Sequence, residues 1–158
     1  QTQAVPMGGE IMGAGAGDGF SLAIEAQADP KSGYLDRIQV VKGWIDATGE
    51  TWERVYDVAW SGDDRLQPDG SLSLVGSSVD LKTGLTADTI GSPRLAAVWQ
   101  DPEFDPAQAA FYYVRVLQIP TARHSLLDKL ALGDEEIDTR RPDTIQERAY
   151  TSPIWYRP

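Results

Sequence analysis

Residues 34–60 read YLDRIQVVKGWIDATGETWERVYDVAW, and the fold class turns on this stretch. Tyr34 to Ile45 gathers β-branched and aromatic side chains (Ile38, Val40, Val41, Trp44, Ile45) that suit a pleated, half-buried surface. Asp46-Ala47-Thr48-Gly49 supplies turn chemistry. Thr51 to Trp60 then resumes a strand, with Trp52, Arg54, Tyr56, Val58 and Trp60 on one face and Thr51, Glu53 and Asp57 on the other. Two such strands joined by a tight turn are expected to pair antiparallel, with Trp52 and Trp60 on the buried side beside Tyr56 and Val58.

Working outward, Phe20, Leu22, Ile24, Ala26 and Ala28 alternate with Ser21, Glu25 and Gln27, which predicts a half-buried strand closed by Asp29-Pro30 and Lys31-Ser32-Gly33. Gln1 to Gly19 carries Gly8, Gly9, Gly13, Gly15, Gly17 and Gly19 among small residues and reads as a loop or severed linker. The domain is therefore expected over residues 20–158. On the other side, Ser61 to Gly70 is a loop, and short strands are expected at Ser71 to Val75 and Arg94 to Gln100. Ala110 to Ile119 has the aromatic and β-branched density of a central strand, stopped by Pro120. Ser125 to Leu132 is the one helical segment, with Leu126, Leu127, Leu130 and Ala131 at helical spacing and Gly133 as its stop. The acidic segment Asp134 to Asp138 leads to a last strand from Thr144 to Tyr156, interrupted near Pro153. Short strands between turn signals predict a mainly β fold, an antiparallel β-sandwich with one short helix. An immunoglobulin-like arrangement is one option, and strand order stays open.

Composition sets bounds on function. A chain of 158 residues with 41% hydrophobic side chains, five Trp and six Tyr can build one core without metals or crosslinks. Lys and Arg number 14 against 24 Asp and Glu, and a net charge of −10 repels a phosphate backbone, so nucleic acid is excluded as a partner. No run of 18 apolar residues is present, so no membrane span is expected. The chain has no Cys and no Asn, which removes disulfides, thiolates and N-glycosylation but fits cytoplasm and periplasm alike.

No catalytic, metal or cofactor site is expected within the chain. His124 is the sole histidine, and an imidazole acts as a base only beside a nucleophile and an orienting group. Asp63, Asp64 and Asp69 lack EF-hand spacing and read as a solvated turn. Gly13-Ala14-Gly15-Ala16-Gly17 is followed by a strand, whereas a phosphate loop precedes a helix. The adjacent pairs Asp36/Arg37 and Glu147/Arg148 are expected to face opposite ways and to serve cross-strand ion pairs. Trp44, Trp52 and Trp60 define the alternative reading, a carbohydrate- or ligand-binding module with exposed aromatics.

The stretches Leu35-Asp36-Arg37-Ile38-Gln39-Val40-Val41-Lys42-Gly43-Trp44, Phe111-Tyr112-Tyr113-Val114-Arg115-Val116 and Gln146-Glu147-Arg148-Ala149-Tyr150-Thr151-Ser152-Pro153-Ile154-Trp155-Tyr156 carry a family resemblance, together with Pro6-Met7-Gly8-Gly9 and Val55-Tyr56-Asp57-Val58. Over nearly its whole length the chain resembles the C-terminal part of the bacterial domain of unknown function 3604 family. Members of that family are several times longer and are similar to the polymerase and histidinol phosphatase (PHP) superfamily of metal-dependent hydrolases. Their His and Asp ligands lie in an upstream barrel, and none maps onto this sequence. The resemblance implies a noncatalytic accessory domain beside a hydrolase barrel that holds a divalent metal, with residues 1–19 as the connection. Arg37, Lys42 and Trp44 are then expected to line the surface or pocket facing that barrel.

Overall fold

The strands anticipated at residues 34–60 form the middle of the computed structural model, which describes residues 4–13, 19–133 and 140–158. Apart from Gly13, the Gly13–Gly17 series lies outside the described residues, as does the acidic segment 134–138. The strands are β1 (Glu10–Met12), β2 (Ser21–Gln27), β3 (Leu35–Ile45), β4 (Thr51–Trp60), β5 (Arg94–Gln100), β6 (Ala110–Gln118), β7 (Thr121–Ala122), β8 (Thr144–Ile145), β9 (Arg148–Tyr150) and β10 (Ile154–Arg157), with helix α1 at His124–Leu132. Among the described residues no helix is long and apolar enough to cross a membrane.

A six-stranded sheet runs in the order β1-β10-β6-β3-β4, with β9 also paired to β6. Its pairings are antiparallel except β1 with β10. The second layer is the antiparallel pair β2 and β5. The fold is thus mainly β, mostly antiparallel and sandwich-like, with one helix. The central place of β3 follows from its sequence: with Val40 and Val41 both fully buried, it needs neighbours on both edges. Its partners β4 and β6 provide the edges.

The core lies between the layers. Leu22 of β2 meets Val40, Ala110, Tyr112 and Tyr156 of the large sheet, with Phe20, Ile24 and Trp99 packed around them. A second cluster gathers Leu35, Ile38 and Leu95, with Val58 and Val116 against it. Phe20 meets the Tyr112 ring edge-on at 5.1 Å, a preferred aromatic geometry.

Several sequence expectations are corrected. Within residues 1–19, Glu10–Met12 form an edge strand: Trp155 donates its N–H to the Gly9 carbonyl at 3.0 Å, Arg157 pairs with Glu10 at 3.0 Å, and Ile11 packs on the first core cluster. Ser71 to Val75 makes only a single bridge, Leu66 to Leu72, because the tight turn between them brings no longer partner alongside. The last strand is three pieces, 144–145, 148–150 and 154–157. Trp52 is 51% exposed rather than buried, since the β3–β4 end extends past a second layer built from strands of only seven residues. The helix ends as expected, with Gly133 at φ 65°, a left-handed cap that glycine adopts without a Cβ penalty.

Candidate functional site

Alternation along the strands assigns two faces to the large sheet, and only one is covered by β2 and β5. On the outer face, cross-strand partners form rows: Glu53, Gly43, Phe111 and Trp155, then Val55, Val41 and Tyr113, then Asp57, Gln39, Arg115 and Tyr150. Phe111 and Tyr113 lie nearly parallel, 10° apart, with Trp155 at 5.4 Å from Phe111 and Tyr150 at 6.2 Å from Tyr113. Ile45, Val55, Tyr150 and Trp155 are all exposed. Phe111 and Tyr113 are half-buried among them, and neither β2 nor β5 packs on this face.

At one end of this face the rows open into a groove of about 670 Å³. Gly43 forms its floor. A Cβ there would run into the Phe111 ring, so the missing side chain lets the ring lie over the neighbouring strand. Ile45, Phe111 and Trp155 supply apolar walls, and Glu53 and Arg157 stand on its lining as charged groups.

A polar network occupies the opposite end of the face. Arg115 Nε donates to Gln39 Oε1 at 2.7 Å, Gln39 Nε2 donates to Asp57 Oδ1 at 2.8 Å, and Arg37 bridges Asp57 at 3.5 Å to Asp36 at 3.0 Å. Asp36 is fully buried and also takes Gln146 Nε2 at 2.8 Å and an ionic contact from Arg65 at 2.7 Å. Its Oδ1 receives no aligned hydrogen bond, which makes the Arg65 contact chiefly electrostatic. The sequence neighbours Asp36 and Arg37 touch, contrary to strand alternation, because the pairing with β6 shifts register between Leu35 and Arg37 and leaves Asp36 as the extra residue of a bulge.

The three residues expected on one partner-facing surface are separated. Arg37 sits in the outer-face network with a side chain 12% exposed. Lys42 points the other way and is buried between the layers: its ammonium meets Asp101 Oδ2 at 2.5 Å, donates to the Glu103 carbonyl at 2.8 Å and lies 5.0 Å from the Trp44 ring centroid. Tyr112 donates to the same Asp101 carboxylate at 2.7 Å, and its phenol is pushed up by burial and then by that bond. Nearby, Tyr56 donates to Glu103 at 3.1 Å, and Arg54 pairs with Glu103 as well. Burial first, and the Glu103 contact second, hold Tyr56 up at about 12. Trp44 is half-buried against the first core cluster and contributes to the groove lining.

Nor do Trp44, Trp52 and Trp60 make one platform. Trp44 and Trp52 are cross-strand partners, but the register shift after Ile38 makes Val58 an extra residue, and Trp60 pairs with Arg37 beyond it. Trp52 donates its indole N–H to Asp46 at 2.8 Å and so belongs to the turn. His124 opens α1 at the surface, and among the described residues no three His, Asp or Glu side chains converge as a metal would need. The residues that sequence reasoning missed as a site are Gly43, Phe111 and Trp155. Their signal was present: the odd positions 111 and 113 are as aromatic as position 112, so both faces of β6 need cover.

These features define a β-sandwich-like module with one sealed sheet face and one aromatic, grooved face. The chain belongs to the family described as protein of unknown function (DUF3604), whose family model matches residues 1–158. No curated protein and no solved structure matches it.

Proposed function

We propose that this chain is a noncatalytic accessory domain of a larger metal-dependent hydrolase of the PHP type, and that it docks on the catalytic barrel through the middle of its outer sheet face. The divalent metal belongs to the barrel. One observation carries the docking reading: Val55 and Tyr150 are 41% and 57% exposed beside Tyr113, on a sheet whose other face is sealed by β2 and β5. Apolar and aromatic side chains left in water on a sheet face mark an interaction surface, since a face that meets only solvent favours polar residues. The nearby Arg37–Asp57–Gln39–Arg115 network supports the same reading, because a polar rim beside an aromatic centre is the ordinary anatomy of a protein interface. The PHP character of the partner rests on the resemblance of the sequence to the long members of its family.

Calorimetry of the complete gene product tests it. With docking intact, this domain and the barrel unfold in one coupled transition. The double substitution Val55→Asp and Tyr150→Asp is expected to split that transition in two and to lower metal-dependent ester hydrolysis. A single transition and an unchanged rate in the double variant would contradict the proposal.

A further inference from the structure

The groove over Gly43 lies at the end of the outer face, one row beyond Val55, and has a chemistry of its own. Its walls are the rings of Phe111 and Trp155, fixed 5.4 Å apart and tilted 53°, with Ile45 beside them. Thr51 and Glu53 stand on the same lining, and no described hydrogen bond or ion pair engages either side chain. Trp155 is 44% exposed, so a ring face is available without rearrangement.

The size and the charges narrow the occupant. A volume near 670 Å³ falls in the range of roughly 300–1,000 Å³ typical of small-molecule sites. Anionic ligands are disfavoured by Glu53 and by the chain's net charge of −10, while the one cation on the lining, Arg157, is already paired with Glu10 at 3.0 Å. A purely apolar ligand would bury Glu53 and Thr51 without partners, which costs free energy. What fits both the aromatic walls and the idle carboxylate and hydroxyl is a neutral ligand with an apolar C–H face and a rim of hydroxyl donors. We propose that this groove binds a pyranose ring of a neutral oligosaccharide, stacked on Trp155 and Phe111, with ring hydroxyls donating to Glu53 and Thr51. Trp44 and Trp52 also stand on the lining while Trp60 does not, and the site stands whether or not the domain docks on a barrel.

Isothermal titration calorimetry of this chain with cellohexaose, maltohexaose, xylohexaose and chitohexaose tests the proposal. At least one probe is expected to bind saturably. Trp155→Ala should weaken that binding about tenfold or more through loss of a stacking ring, and Glu53→Gln should weaken it while circular dichroism stays unchanged. Val98→Ala, at an exposed position of β5 outside the groove lining, should leave the affinity intact. Silence with every probe, or a bound glycan whose affinity ignores Trp155→Ala, would overturn the assignment. Failure here leaves the coupled unfolding of the complete gene product untouched, so the two readings fall separately.

Discussion

Lys42 shows how far a single residue can depart from its ordinary role. A lysine in a strand is usually a solvated charge, yet this one has a side chain 3% exposed facing an Asp101 side chain 2% exposed. Two charges taken from water recover the cost only through close pairing and further hydrogen bonds, here from the Glu103 carbonyl and the Tyr112 phenol. Lys42→Met keeps the stem and removes the charge, leaving a buried carboxylate without its cation. Urea unfolding should register a loss of about 3–5 kcal/mol, and a loss below about 1 kcal/mol would show that the pair is not a structural clamp. The sequence could not announce this role, because Asp101 lies far along the chain and reaches Lys42 only when β5 folds across β3. Arg37 was legible as a partnered charge, but its contact with neighbouring Asp36 depends on a bulge that no residue pattern marks.

At the level of elements, the strands β2 to β6 and helix α1 were readable nearly to the residue, since alternation and turn residues act locally. The β3–β4 turn is an example. Asp46 accepts hydrogen bonds from the Thr48 hydroxyl and backbone, the Glu50 backbone and the Trp52 indole, which together hold its carboxyl down at about 2. The Thr48 and Trp52 bonds dominate that shift from 3.8. A carboxyl lowered in the folded state contributes stability above its unfolded value of 3.8, and that contribution disappears as pH falls toward 2. Asp46→Asn should therefore flatten the acid side of the thermal-stability profile within this window, with no change near neutrality in its slope. An identical acid slope in variant and parent would mean that the turn carboxylate is not linked to folding. What escaped the local reading were the short pieces β1 and β7 and the breaks that divide residues 144–157, because partners elsewhere in the chain rather than propensity create these strands.

On the scale of the whole molecule, the two-layer plan follows from β3, β6 and their aromatic neighbours, but the inequality of the layers does not. Two seven-residue strands cover one face of the large sheet, and the other face stays open. That imbalance is invisible to alternation, which reports that both faces are apolar without saying what covers them. It is also why Arg37, Lys42 and Trp44 do not share one surface, and why the proposed docking surface and groove are placed around Val55 and Tyr150 and around Gly43, Phe111 and Trp155. Hydroxyl-radical footprinting reads this surface directly, because it labels side chains in proportion to their exposure. If the outer face is where the domain meets the rest of a longer protein, Tyr150 and Val55 will be labelled readily in this chain alone and protected in the complete gene product. Equal labelling of both residues in the two samples would contradict the account.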